Sequence, residues 1–298
     1  MGERMVFAPR RDLMSLDELA GLARHLVARG VRRIRLTGGE PLVRPGAVGL
    51  AAKIGTLLGR GLDELTVTTN GTRLAGAAEA LAAAGVRRVN VSLDTLAPER
   101  FAAVTRGGAL APVIAGIDAA RAAGLAVRVN AVVLRGVNDD EVGALLAWCG
   151  ARGLDLALIE AMPLGDVGHD RAKRHLPLGE MRRVLEACFR LAPSSHRTAG
   201  PARYFDVAET GTRVGFITPL SDRFCASCNR IRVTATGVVH GCLGHEGGAD
   251  LRTPLRAGDT ARLDRVLDEV LRRKPVRHDF DLAAAHPATR RHMSVTGG

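Results

Sequence analysis

The chain is 298 residues long, 46% hydrophobic and only 3% aromatic, and its 42 Lys plus Arg against 31 Asp plus Glu leave a formal charge of +11. That length and apolar fraction exclude global disorder and allow one large domain or a domain with an appendage. No uninterrupted apolar run reaches the roughly 18 residues of a membrane span, and Met1-Gly2-Glu3-Arg4-Met5 lacks the apolar stretch of a secretory signal, so the chain reads as soluble and cytoplasmic.

The chain then reads as repeated strand and helix units. Ser15 and Glu18 form a capping-box signature, and Leu16, Leu19, Leu22, Ala23, Leu26 and Val27 recur at helical spacing until Gly30. Residues 31–37 alternate charged and apolar side chains before Gly38-Gly39, as a strand entering a glycine loop does. The spacing predicts a strand at 64–69, helix at 73–84, strand at 86–93, helix at 110–123, strand at 125–134, helix at 139–150 and strand at 154–160. Gly30, Gly85, Gly124 and Gly153 each close a helix before a strand. A repeat of about 30 residues marks βα units on a parallel sheet, either a barrel or a doubly wound sheet. The rhythm fails after Met162-Pro163. A helix at 178–190 leads into turn-rich sequence, which places a boundary near 190: residues 1–190 form the sheet domain and 191–298 a compact segment holding clustered cysteines.

The excess charge is almost entirely Arg, because Lys53, Lys173 and Lys274 are the only lysines, and Arg suits bidentate grip on phosphate or carboxylate. Its scatter along the chain and the shortage of stacking aromatics argue against nucleic acid. Residues at the C-terminal ends of parallel strands converge on one face. Here these are Arg35 with Thr37-Gly38-Gly39-Glu40-Pro41, Thr68-Thr69-Asn70-Gly71, Asn90 with Ser92-Leu93-Asp94, Arg128 with Asn130, and Glu160 with Met162-Pro163. Turn formation alone explains many such residues. Arg35, Ser92 and Arg128 sit slightly inside the strands and need another reason, although the two arginines would also fit the outer face of a barrel.

Three of five cysteines crowd into Cys225-Ala-Ser-Cys228 and Cys242, an odd total that argues for metal ligation rather than a disulfide framework. The spacing suits a zinc knuckle completed by His240 or His245. It equally suits a four-iron cluster with one iron left open to a ligand, and less well a redox disulfide. Arg230 and Arg232, at alternate positions after the turn, would share one face of a strand as an anion clamp. Cys149 and Cys188 sit on apolar helix faces and read as small core residues.

Leu36-Thr37-Gly38-Gly39-Glu40-Pro41-Leu42, Thr68-Thr69-Asn70-Gly71, Asn90-Val91-Ser92-Leu93-Asp94, Phe224-Cys225-Ala226-Ser227-Cys228-Asn229-Arg230 and the terminal Gly297-Gly298 together resemble the GTP 3′,8-cyclase family, radical S-adenosylmethionine (SAM) enzymes of molybdenum cofactor biosynthesis. The resemblance implies an α/β fold, an incomplete six-unit TIM-type barrel covered by the C-terminal segment. It implies a [4Fe-4S] cluster on Cys225, Cys228 and Cys242 whose open iron takes the purine of GTP. It implies GTP held by Arg35, Thr68, Arg128, Arg230, Ile231 and Arg232, SAM against Gly39, Ser92 and Met162, and the Gly297-Gly298 tail reaching into the pocket. The implied reaction converts GTP to (8S)-3′,8-cyclo-7,8-dihydroguanosine 5′-triphosphate by a SAM-derived radical. The implied partners are a reductant and a downstream cyclic pyranopterin monophosphate synthase, with room for a homodimer.

The family carries a Cys-x-x-x-Cys-x-x-Cys motif after its first strand, whereas this sequence has no cysteine before Cys149. The first strand, the N-terminal [4Fe-4S] cluster and an early GTP-contacting Arg are therefore expected to be missing. The chain as written is expected not to generate the radical, and its next strand to have an unpaired edge. Two other expectations follow from the same residues: a noncatalytic GTP-binding or regulatory homologue, and a zinc-stabilised structural protein.

Overall fold

A computed structural model of the protein describes residues 8–165, 171–198, 200–222, 224–284 and 287–296. Ser15 opens α1 (Leu16–Ala28) with the expected reciprocal cap: the Glu18 amide donates to Ser15 Oγ at 3.0 Å, and the Ser15 amide donates to Glu18 Oε2 at 2.6 Å. The chain continues through β1 (Arg33–Leu36), α2 (Ala47–Gly55), β2 (Glu64–Thr69), α3 (Ala78–Ala83), β3 (Arg88–Ser92), α4 (Pro98–Thr105), α5 (Leu110–Ala122), β4 (Ala126–Val133), α6 (Val142–Ala151) and β5 (Asp155–Glu160). Gly30, Gly85, Gly124 and Gly153 take positive φ values of 98°, 84°, 78° and 67°. These are the left-handed helix ends expected of glycine before a strand.

After β5 come α7 (Arg171–Arg174), α8 (Leu178–Glu186), β6 (Leu191–Pro193), β7 (Arg203–Val207) and β8 (Thr212–Ile217). The main sheet has the order β1-β2-β3-β4-β5-β8-β7-β6. Its first six strands are parallel, and β7 and β6 are antiparallel additions. The order β1 to β5 runs without reversal, which is barrel-type winding rather than the doubly wound alternative, whose strand order reverses at a switch point. The sheet is an open, incomplete barrel with β1 at one edge, paired among the described residues to β2 alone. It runs past residue 190, so the boundary expected there falls within it.

Strand alternation divides the sheet into two chemically different faces. Val67, Val89, Val91, Val127, Val129, Leu156, Leu158, Val214 and Phe216 point outward into one core with Leu50, Ile54, Leu81, Ile117, Leu146 and Leu185 of the surrounding helices. The neighbouring positions face the opposite way and pair across the strands: Arg35 with Thr66, Thr66 with Arg88, and Thr68 with Asn90 and in turn Arg128. The helices therefore cover an apolar exterior and leave a polar, arginine-bearing interior. Close helix packing depends in places on glycine: a Cβ on Gly55 would lie 2.0 Å from the Ala84 carbonyl oxygen, where α2 meets α3.

The remaining elements are β9 (Arg232–Val233), β10 (Val238–His240), β11 (Ala249–Asp250), α9 (Arg252–Arg256), α10 (Thr260–Arg272) and α11 (Met293–Thr296). β9, β10 and β11 form a small antiparallel sheet. A second core joins Met14 and Leu22 to Val239, Leu251, Leu263 and Leu267. Helix α1 thus serves both cores, giving Ala20, Ala23 and Val27 to the barrel and Leu22 to the C-terminal unit. Around that seam His25 pairs with Asp264 at 2.8 Å, Arg29 with Asp264 at 2.7 Å and Arg256 with Glu18 at 2.5 Å. The Arg256 hydrogen bond, with that from Ser15, holds the Glu18 carboxyl down to about 2. Such partly exposed pairs contribute about 0–1 kcal/mol each, whereas each buried Leu contributes about 1.5–3 kcal/mol, so the apolar contacts hold the seam and the charges fix its register. Among the described residues no helix is long and apolar enough to cross a membrane.

Candidate functional site

The interior face gathers positive charge. Arg35 comes from β1 and Arg128 from β4, on the inner side rather than the outer face that the sequence also allowed. Burial, and after it the like charges of Arg128, Arg88, Arg230 and Arg232, bring the Arg35 guanidinium down to about 10. Its Nε is buried without a hydrogen-bond partner. Arg128, 3% exposed, is fixed by donating from Nε to Asn130 Oδ1 at 3.1 Å and from Nη1 to the Tyr204 hydroxyl at 2.6 Å. Thr68 accepts at 3.3 Å from the Asn90 amide, whose own Oδ1 lacks a donor. At the opposite, N-terminal ends of the strands, Arg88 pairs with Glu64 at 2.7 Å and Arg213 with Asp155 at 3.0 Å. Carboxylates thus neutralise that end, and guanidiniums converge deeper in. Buried cations with an orphaned N–H are matched by an anion with several acceptor oxygens.

The strand ends form the rim above this charge. Gly38 has φ 147°, which is open to glycine, and Gly39 is exposed. Glu40 ties the loop to β2, accepting from the Leu42 amide at 3.0 Å, Thr69 Oγ1 at 2.9 Å and the Asn70 amide at 2.6 Å. Ser92 is exposed at the end of β3 and Met162 half-buried after β5, so Gly39, Ser92 and Met162 share one end of the sheet. Asp94 accepts from the Val132 amide at 2.8 Å, yet burial pushes its carboxyl up to about 6. Glu160, fully buried, accepts from the amides of Leu178 at 3.2 Å, Leu220 at 3.0 Å and Ser221 at 3.1 Å, and from the Ser221 hydroxyl. It fastens the end of β5 to the strap that leads into the cysteines.

Cys225 opens a 3-10 turn, Cys225–Ser227, closed by the Cys228 amide donating to the Cys225 carbonyl at 3.0 Å. Cys242 follows β10, and all three thiols are partly buried and unpaired. Burial raises the Cys242 thiol, and the charges of Cys228 and Cys225 raise it further, which puts the three sulfurs within electrostatic reach. Burial also acts on Cys228, but Arg230 and Lys274 outweigh it and draw that thiol below its ordinary value. Among the described residues no three His, Cys, Asp or Glu side chains are gathered tightly enough to hold a single metal ion. A zinc ion with bonds of about 2.3 Å would need its sulfurs under about 4 Å apart, whereas a four-iron cluster takes each thiolate on a different iron. Three thiols are donors of the type that an iron–sulfur cluster takes. His240 Nδ1 lies 2.9 Å from the Gly247 carbonyl and 2.8 Å from Arg291 Nη1, and His245 Nε2 lies 3.2 Å from the Arg277 carbonyl.

Arg230 and Arg232 extend from the turn toward the barrel arginines, with Ile231 between them packed against the second core. Arg230 lies over Phe224 at 5.2 Å and reaches Cys228 Sγ at 3.6 Å. Burial and the neighbouring Arg230 charge lower Arg232 to about 10, opposed by the charges of Cys228 and Cys242. Arg230 and Arg232 therefore lie beside the cysteines. Gly297 and Gly298 lie outside the described residues. Sequence reasoning missed Tyr204, Asn90's unmatched acceptor and Lys274; Tyr204 carries a signal as the one tyrosine of the sequence and Lys274 as one of three lysines in an Arg-rich chain.

Two family models match in chain order: the radical SAM superfamily over residues 4–149 and Molybdenum Cofactor Synthesis C over residues 154–280. A GTP 3′,8-cyclase of Rhizobium meliloti (strain 1021) is 54% identical over 302 aligned residues, covering 100% of this chain and 86% of that protein. A GTP 3′,8-cyclase of Rhodopseudomonas palustris (strain ATCC BAA-98 / CGA009) is 53% identical, covering 100% of this chain and 88% of that protein. Streptococcus suis SuiB, solved with S-adenosylmethionine bound, superposes with a TM-score of 0.58 at 16% identity, over 83% of this chain and 58% of SuiB, and shares the fold. With more than half of its residues identical along its full length and both family models matched, the chain belongs to the GTP 3′,8-cyclase family of radical SAM enzymes.

Proposed function

We propose that the site binds GTP for 3′,8-cyclisation in molybdenum cofactor synthesis, with Arg35, Thr68, Arg128, Arg230, Ile231 and Arg232 holding the nucleotide and Gly39, Ser92 and Met162 holding SAM. The observation that carries the reading is the convergence of Arg35, Arg128, Arg230 and Arg232 beside Cys225, Cys228 and Cys242. A triphosphate would supply the acceptor that Arg35 Nε lacks and counter-charge for the other guanidiniums, and its purine would then lie toward the thiolates. Cys225, Cys228 and Cys242 would hold a [4Fe-4S] cluster, which when bound supplies an open iron as Lewis acid for a purine nitrogen. The protein's own contribution is orientation. Arg128 is immobilised by Tyr204 and Asn130, and Glu160 fixes the strap before the cysteines.

The thiolates of a radical-generating cluster are not in this sequence: Cys149 lies in the outer core and Cys188 is exposed. These residues account for substrate placement and not for radical generation.

Anaerobic reconstitution is expected to give one four-iron cluster per chain and GTP binding without turnover. Stoichiometric zinc with no affinity for guanine nucleotides would refute the reading and favour a structural zinc module. Adding an upstream segment bearing a Cys-x-x-x-Cys-x-x-Cys motif is expected to confer cyclisation. An extended protein that carries both clusters, binds GTP and does not cyclise it would leave a noncatalytic GTP-binding protein instead.

A further inference from the structure

Lys274 follows the C-terminal end of α10, where its stem runs along Gly241, the residue before Cys242; a Cβ on Gly241 would stand 3.6 Å from Lys274 Cβ and 3.2 Å from the Val270 carbonyl oxygen. Its Nζ donates to the Arg230 carbonyl at 2.6 Å and lies 3.7 Å from Cys228 Sγ. One ammonium thus touches a thiol of the cysteine triad and the backbone of the anion clamp.

The choice of residue is informative. The chain carries 42 basic residues of which three are lysines, so arginine is its default cation. A guanidinium presents donors in one rigid plane, whereas an ammonium is a point charge with three separately directed donors. The Lys274 ammonium meets the Arg230 carbonyl and lies by the Cys228 sulfur, which the Arg230 guanidinium also reaches at 3.6 Å.

We propose that Lys274 is a positioning residue that sets the reduction potential of the C-terminal cluster and holds the Arg230–Arg232 clamp at the nucleotide. The inference rests on the cluster reading above. A cation and an N–H donor beside a cluster sulfur stabilise the reduced, more negative state, so their loss makes reduction harder. Releasing the Arg230 carbonyl also frees the segment that carries both guanidiniums.

The test is a dye-mediated redox titration of the reconstituted protein, read by electron paramagnetic resonance, alongside GTP affinity. Lys274→Met keeps the length and removes the charge. It is expected to keep full iron and sulfide, to lower the one-electron reduction constant tenfold or more, which is about 59 mV, and to weaken GTP about fivefold. Lys274→Arg restores the charge and is expected to recover most of the potential but less of the GTP affinity. Should Lys274→Met fail to fold, Lys274→Gln is read in its place with the same expectations. A cluster-replete Met or Gln variant with unchanged midpoint overturns the inference while leaving the cluster reading intact. A wild-type protein that holds zinc removes that reading and the inference together.

Discussion

Glu160 offers a quantitative test of how the barrel holds its cysteine segment. Its carboxylate is fully buried and accepts four hydrogen bonds, from the amides of Leu178, Leu220 and Ser221 and the hydroxyl of Ser221. In Glu160→Gln the carbonyl can retain the Leu220 and Ser221 amides, while the new NH2 can donate to the Ser221 hydroxyl. Only the Leu178 amide then loses its acceptor, for about 1–3 kcal/mol. Glu160→Ala strands all three amides and opens a cavity, which places it near the 4–5 kcal/mol that single substitutions seldom exceed. Urea denaturation of the anaerobically purified protein measures both. The expected order is wild type, Gln, then Ala, with the Ala variant also losing iron because the strap leading to Cys225 is released. An Ala variant within about 1 kcal/mol of wild type, or a Gln variant as damaged as Ala, would refute the hydrogen-bond account.

Arg35→Met removes a half-buried cation repelled by Arg128 and Arg88, so it is expected to leave the nucleotide-free protein at least as stable while weakening GTP about 10–100-fold by calorimetry; loss of stability with unchanged affinity would contradict the anion role. Asp94 ionises near 3.8 when unfolded and about 6 when folded because burial disfavours its charge. The raised value means that the fold loses of order 2–3 kcal/mol as pH climbs from about 4 to 6, with the penalty fully present above 6 and absent below 3.8. Asp94→Asn keeps an acceptor for Val132, so a flatter stability profile over that interval and no loss at pH 7 are expected; an unchanged profile would count against it. Gly55→Ala drives a methyl into the Ala84 carbonyl oxygen and is expected to cost about 1–3 kcal/mol in melting experiments, whereas Gly49→Ala in the same helix, with open space around it, is expected to be neutral or mildly stabilising.

Helix α1, the βα rhythm and the left-handed glycines were legible because each rests on local chemistry: a cap, a period or a φ value. The expected strand at 64–69 is β2 to the residue, and 125–134 differs from β4 by one residue at each end. Expected helix 73–84 shortens to α3, because residues 71–77 turn before the helix begins. Helix α2 was illegible: Gly46 precedes it, Gly49 interrupts it, Gly55 ends it and no polar residue caps it, so packing, chiefly against α1 and α3, selects it. The β6–β7–β8 addition was hidden for another reason. Three-residue β6 ends at Pro193 amid turn formers, and its pairing partners are set by the sheet rather than by its own sequence. At the site, the cysteines and strand-end arginines stood out by type and spacing. Tyr204 and Lys274 are rare by type, but their roles were hidden because they come from contacts 76 residues away with Arg128 and 46 with Cys228.

Helix α1 lies between two cores, and its partners Asp264 and Asp268 are 239 residues downstream of His25 and Arg29. During synthesis the barrel face of this helix can dock as soon as β1 and α2 emerge. The face bearing Leu22 must wait exposed until Leu263 and Leu267 leave the ribosome. Helix α1 is thus among the last elements to be finished, and a nascent chain stalled before α10 presents a greasy stripe that chaperones are built to shield.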